Sequence, residues 1–305
     1  MAENHELAVP MATSYSDEVL QAHAELWNLT FGYLKSMALE CAIKLGIPNA
    51  IHRLGGAASL PDLLAALPIP ESKKPYLPRL MRYLAATGII MAADVVPATT
   101  TTTTTGDDEC AANGGAAAVT YRLTPLSRLL VADDGGGTRA DLSPFVLSQT
   151  NRYHVTAALH LPEWFLSDDA AAEMPFRAAH GADPWTVFVR DPKINLVFNA
   201  GMAADTRFAM DFVVSKCGDA FDGVGSLVDV AGGTGTAARA IAAAFPRIRC
   251  SVLDLPSVID TAPADDGVVK YVAGDMMRSI PKADAVFLKV RYNAIGFSFV
   301  KIHYD

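Results

Sequence analysis

Between residues 227 and 289 the chain reads LVDVAGGTGT, then CSVLDLP, then VAGDMM, and finally VFLK. Each segment is a short apolar run that ends in residues able to bind a ligand: Asp229 ahead of a glycine turn, then Asp254, then Asp275 with Met276, then Lys289. A glycine turn opening a helix, followed by an acid at the tip of each of the next two strands, describes a nucleoside site at the strand ends of an α/β sheet. Gly232, Gly233 and Gly235 let the backbone approach a ligand and adopt dihedrals closed to side chains, while the helix N-terminus that follows presents unpaired N–H groups. Asp254 closes the strand CSVLD, where a carboxylate accepts from both ribose hydroxyls. Asp275 is placed to accept from an adenine amino group, with the Met276 thioether on the ring face.

Taken alone, Gly233, Gly235 and Ala238 satisfy G-x-G-x-x-A, a dinucleotide fingerprint, so a nicotinamide oxidoreductase is the competing reading. Asp229 argues against it, because an acid directly before the glycines reaches the cationic amino end of an aminoacyl nucleoside. With the acid and thioether pair at Asp275 and Met276, S-adenosylmethionine fits all three acids better than NAD does.

The elements that must position these residues lie upstream. From Asp17 to Leu45, Leu26, Leu29, Tyr33, Leu34, Met37, Cys41 and Leu45 recur at three and four, which predicts helices with a buried stripe. Ser59 with Asp62 reads as a capping box for a short helix ending at Leu67, and Leu77, Leu80, Met81 and Leu84 form the inner face of another that Gly88 closes. Two strands follow, GIIMAAD and AVTYRLT, on either side of an insert with consecutive threonines from Thr99 to Thr105. Helices followed by such a hairpin form a winged-helix pattern, and an insert at a hairpin tip is tolerated because loop entropy grows slowly with length. The expected division is a helical winged-helix dimerisation domain over 1–132, with a disordered threonine-rich tip, and an α/β cofactor domain over 133–305. Within the second, residues 133–150 read as a linker. From Arg152 to Cys217 the pattern is helical, and its aromatics, including Trp185 and Phe198, read as core.

Bulk properties narrow the function. The 305-residue chain carries 25 Lys and Arg against 33 Asp and Glu, a formal charge of −8, without a basic run. That argues against nucleic acid or an anionic membrane as partner. No apolar stretch approaches the roughly 20 residues needed to span a bilayer, and the acidic N-terminus lacks the form of a secretory signal. Cys41, Cys110, Cys217 and Cys250 have neither zinc nor disulfide spacing, which points to a reducing cytoplasm.

LVDVAGGTG, CSVLDLP, AGDMMRSIPKADAVFLK and the upstream FNAGM together resemble the plant phenolic O-methyltransferases of the caffeic acid, flavonoid and alkylresorcinol type, and ELWNLTFGYLKSMALECAIKLGIPNAI resembles their dimerisation domain. The resemblance implies a Rossmann-like methyltransferase domain, S-adenosylmethionine as cofactor, a small phenolic substrate and a homodimer. It also implies that Gly232, Asp254, Asp275, Met276 and Lys289 contact the cofactor, and that Met202, with Phe198 and Trp185 nearby, packs against the acceptor ring. Ala231 replaces a glycine common in the family's loop, which is tolerable if its φ is negative.

The same resemblance implies a histidine base a few residues beyond Lys289. Here Val290, Arg291, Tyr292 and Asn293 follow, so Asn293 occupies the expected position, and an amide is no base. His303 is the histidine beyond the glycine loop. Resemblance stops after Lys289, so the expectation is a C-terminally incomplete, truncated and inactive domain, with Ala285–Leu288 left as an exposed apolar edge.

Overall fold

The structure, a computed structural model, describes residues 16–94, 119–132, 141–169, 173–263, 266–289, 291–292, 294–295 and 298–301. The threonine run, Cys110, Asn293 and His303 lie outside them.

Helices α1 (Asp17–Thr30) and α2 (Gly32–Leu45) start the chain, with Ser16 capping the first and Gly46, at φ +75°, closing the second. Helix α3 (Ile47–Arg53) leads to strand β1 (Ala57–Ser59), and the predicted capping box of Ser59 and Asp62 opens α4 (Leu60–Ala66). Helix α5 (Leu77–Ala86) buries Leu77, Met81 and Leu84 and ends at Gly88, φ +74°. The predicted hairpin forms as β2 (Ile90–Asp94) and β3 (Val119–Leu123), and β1, too short to signal itself, adds to it in the order β1-β3-β2. Ile47, Ile51, Leu63, Met81, Leu84 and Ile90 form the core between helices and sheet.

Of the stripe expected on α1 and α2, Met37, Cys41 and Leu45 are half-buried, but among the described residues nothing covers its first part. Leu26, Leu29 and Tyr33 are 61, 79 and 63% exposed, and Ala42 is the buried residue of α2. A helical period reports that a face is apolar, not which body covers it.

After α6 (Pro125–Arg128), part of the expected linker is ordered as α7 (Ser143–Gln149). Helices α8 (Arg152–Leu159), α9 (Leu161–Phe165), α10 (Pro175–His180) and α11 (Pro184–Arg190) precede the 25-residue α12 (Pro192–Lys216). Helix α7 packs along α12 so closely that a Cβ on Gly201 would sit 2.2 Å from Ser148 Oγ. Reading 133–150 as a linker missed this because α7 is short and its partner lies some fifty residues away.

Strands β4 (Ser226–Val230), β5 (Arg249–Asp254), β6 (Val269–Ala273) and β7 (Ala285–Leu288) are parallel, in the order β7-β4-β5-β6. Between them lie α13 (Thr236–Ala244) and α14 (Pro256–Ile259). Leu227, Cys250, Val252 and Phe287 face α12 and α13, whereas Val228, Val230 and Leu253 face the other way, so β4 is apolar on both sides as a central parallel strand must be. The chain leaves β4 on one side for β5 and β6 and returns to its other side for β7, which puts a topological switch point at β4 and β7.

Beyond Lys289, β8 (Arg291–Tyr292) pairs with β9 (Ala294–Ile295), and β10 (Ser298–Lys301) lies antiparallel along β7, Ser298 opposite Leu288. The expected open edge at Ala285–Leu288 is therefore paired. A backbone ladder asks only for extended chain, so a segment with no family pattern supplies it.

Candidate cofactor and acceptor site

All four parallel strands end at the same side of the sheet, and the residues singled out in the sequence collect there. Asp229, the penultimate residue of β4, is 1% exposed. Among the described residues its Oδ2 is buried without a hydrogen-bond partner. Burial pushes its pKa up to about 7, the Asp254 charge adds to the rise, and the backbone N–H of Ala238 and the Lys289 ammonium oppose it.

The loop after β4 is built around that carboxyl. A Cβ on Gly232 would lie 2.6 Å from Asp229 Cγ, so only glycine fits. Gly233 and Gly235 have φ of +60° and +84°, and a Cβ on Gly235 would meet the Tyr271 hydroxyl at 2.7 Å. That hydroxyl donates to Thr234 O at 2.9 Å and supports the turn from below. Ala231 has φ +55°, contrary to the negative value its side chain prefers. Its N–H donates to Leu253 O at 2.8 Å and so continues the ladder to β5, while the left-handed φ turns the chain out of the strand at a cost of roughly 1–2 kcal/mol.

Asp254 ties the loop to β5. Its Oδ2 accepts from Gly233 N–H at 2.8 Å and its Oδ1 from Leu255 N–H at 2.7 Å. Desolvation raises its pKa against those two bonds, and each oxygen keeps lone-pair capacity for a further donor. Asp275 Oδ1 accepts from Met277 N–H at 2.9 Å, and Met276 beside it is 43% exposed, open to a flat ligand. Lys289, just past β7, turns toward α12, its Nζ donating to Asp205 Oδ2 at 2.6 Å and Thr206 Oγ1 at 2.8 Å.

Phe198 and Met202 stand one turn apart on α12. Phe198 packs with Phe188 at 4.8 Å between ring centroids and with Trp185 at 5.9 Å, in a cluster that also holds Phe176. Trp185 is exposed and Met202 half-buried, so these aromatics are not all core. His154 joins them, stacked on Phe198 at 6.4 Å, and burial lowers its pKa. Sequence reasoning missed His154, Asp205, Thr206 and Tyr271 as site neighbours. Only the i, i+3 and i, i+4 spacing of Asp205 and Thr206 from Met202 was there to signal the two on α12.

An orphaned buried carboxylate oxygen beside a glycine cradle is what a cationic amino group completes. Two further strand-end acids with free lone pairs match ribose and adenine donors, so the residues present fit S-adenosylmethionine.

Comparison with known proteins agrees. The family profile for an O-methyltransferase domain matches residues 159–292, and that for an O-methyltransferase dimerisation domain matches 27–133. A flavonoid O-methyltransferase-like protein of Oryza sativa subsp. japonica is 46% identical over 288 residues, covering 92% of this chain and 72% of the relative. The 8-hydroxyquercetin 8-O-methyltransferase of Mentha piperita is 42% identical over 283 residues, covering 93 and 72%. Human N-acetylserotonin methyltransferase, solved with its methyl donor, shares the fold with a TM-score of 0.65 at 17% identity over 91% of this chain and 72% of that one. The chain belongs to the O-methyltransferase family, whose methyl donor is S-adenosylmethionine.

Proposed function

We propose that this chain binds S-adenosylmethionine at the ends of β4–β7 and a small phenol at the aromatic face of α12, and that it transfers the methyl group poorly or not at all. The observation that supports the donor site best is the unpartnered buried Oδ2 of Asp229. In this reading Asp229, ionised once a cation faces it, receives the amino group, Asp254 the ribose hydroxyls, and Asp275 with Met276 the adenine. Gly232, Gly233 and Gly235, with Ala231, keep the backbone clear, and Lys289 faces the same end. Met202, Phe198 and Trp185 hold the acceptor ring. The bound donor supplies an electrophilic methyl group.

What the chain itself must supply is removal of the phenol proton, since a phenol with a pKa near 10 is a weak nucleophile at neutral pH. Asn293 stands where the family resemblance places the base. General-base catalysis is worth typically about 10² to 10⁴-fold, so its loss costs on the order of 3–5 kcal/mol in the barrier. Titration calorimetry with S-adenosylhomocysteine, the donor without its methyl group, and with NADH tests the donor site. Binding of NADH alone overturns it in favour of a nicotinamide oxidoreductase. Methyl transfer from labelled donor to caffeic acid, a flavonoid and a resorcinol is expected at background, and turnover at an ordinary enzymatic rate of about 1 s⁻¹ or more refutes the role given to Asn293.

The working division is a dimerisation domain over 1–132 and a donor-binding domain over 133–305, and the chain works as a cytoplasmic homodimer. The exposed Leu26, Leu29 and Tyr33 supply an apolar face for a second copy. Among the described residues no helix is long and apolar enough to cross a membrane. Asn293 favours a second reading, a non-catalytic partner that pairs with relatives carrying the histidine. Co-expression with such a relative yields a mixed dimer on this reading, and only separate homodimers or aggregate against it.

A further inference from the structure

Lys289 and Asp205 are 84 residues apart, yet their 2.6 Å hydrogen bond joins the acceptor helix to the end of β7. Both are largely enclosed, with side chains 18% and 25% exposed. The link is more than one ion pair. Thr206 Oγ1 accepts from Lys289 at 2.8 Å and donates to Met202 O at 2.7 Å, so a continuous chain of hydrogen bonds runs from the end of β7 into the helix turn that carries Met202. Phe198, Met202 and Thr206 are spaced four apart, and Asp205 lies three after Met202, so all four lie on one side of α12. The charge of the same ammonium also lowers the pKa of the buried Asp229 carboxyl, against the larger effect of burial. The lysine thus stands between the helix that carries Phe198 and Met202 and strand β4, whose Val230 pairs with Leu288, the residue before Lys289.

We propose that Asp205 is a positioning residue that couples the two halves of the site: it fixes Lys289 on α12, so that occupancy of the strand-end site and of the aromatic acceptor site reinforce each other. The inference rests on the donor and acceptor assignment proposed above. With Lys289 held, α12 is seated against β7, and a ligand at either place meets the other already ordered. Without Asp205 the lysine keeps, among the described residues, the Thr206 hydroxyl, a neutral acceptor, and the helix turn is released from the strand. Coupling of this kind is reciprocal, with typical factors of about 5 to 150.

The test is the affinity of S-adenosylhomocysteine for the purified full chain, with and without saturating caffeic acid, for wild type, Asp205→Asn, Thr206→Ser and Lys289→Met. Wild type is expected to bind at least about fivefold more tightly with caffeic acid present, Thr206→Ser to keep that factor, and Asp205→Asn and Lys289→Met to bring it to one. A merely structural role for Asp205 would lower affinity and leave the ratio unchanged. Hydrogen exchange on ligand-free protein gives a separate reading: Asp205→Asn should raise exchange in peptides over 202–216 and 285–289 and leave 47–90 as in wild type. Normal S-adenosylhomocysteine binding with no coupling in wild type, or an unaltered factor in Asp205→Asn, overturns the inference and spares the donor-site assignment. Absence of S-adenosylhomocysteine binding overturns that assignment and the ligand coupling together, and unchanged exchange then removes the Asp205 strut as well.

Discussion

Replacing Asp229 with Asn should stabilise the ligand-free protein, and by more at high pH than at low. The carboxyl has an ordinary value of 3.8 in the unfolded chain and about 7 when folded. Each tenfold change in the acidity constant is worth about 1.4 kcal/mol, so the folded state carries a penalty of about 4 kcal/mol wherever both states are ionised, above pH 7. A raised folded pKa means that the native state binds the extra proton. Stability from this group is therefore greatest below pH 4 and lost as pH climbs from 4 to 7. About 2–3 kcal/mol of the change falls between pH 5 and pH 8. Asn keeps the shape and removes the titration, so urea unfolding of Asp229→Asn minus wild type, taken at pH 5, 6, 7 and 8, should show a difference growing by about that amount. Subtraction cancels His154 and the other groups common to both proteins. Saturating S-adenosylhomocysteine should reverse the sign, because the ligand's amino group then faces Asn instead of a carboxylate. Binding to wild type should strengthen by up to about tenfold for each step of one in pH below 7 and level off above it, as the proton that must leave Asp229 is already gone. A difference between mutant and wild type that is flat from pH 5 to 8 refutes the reading of Asp229 as buried and unpaired.

Three other substitutions probe the framework. Ala231→Gly relieves the positive φ and should raise stability by about 1 kcal/mol in denaturant unfolding, with S-adenosylhomocysteine affinity kept; a loss of stability would show that the strain is not where the dihedral places it. Gly232→Ala drives a methyl group against Asp229 and should abolish S-adenosylhomocysteine binding in calorimetry while the far-ultraviolet spectrum remains folded; tight binding would contradict the cradle. Leu29→Asp puts charge on the exposed face of α1, so light scattering should report a monomer where wild type is a dimer, and an unaltered dimer would place the interface elsewhere.

Local chemistry was legible in the sequence wherever a residue's role follows from its immediate neighbours. The glycine turn, the acids closing β5 and β6, the Ser59 and Asp62 capping box and the Gly88 cap all depend on dihedrals and hydrogen bonds spanning a few residues, and residue type constrains those directly. Family membership followed from the same stretches. Tertiary structure alone decided the rest. Ala231 sits at φ +55° where the chain leaves the β4–β5 ladder for the glycine turn, and a backbone path imposed by the surrounding fold leaves no mark on the alanine itself. The Asp229 pKa comes from how completely the loop, α13 and the neighbouring strands exclude water around it. Burial is a property of the assembled core, not of the segment LVDV. Lys289 finds Asp205 only because β7 packs beside β4 under α12, and β10 closes the edge of β7 through backbone bonds to which side-chain pattern is blind. The leucines of α1 mark the opposite limit: their spacing announces an apolar face, and only the folded chain shows that this face stays exposed among the described residues.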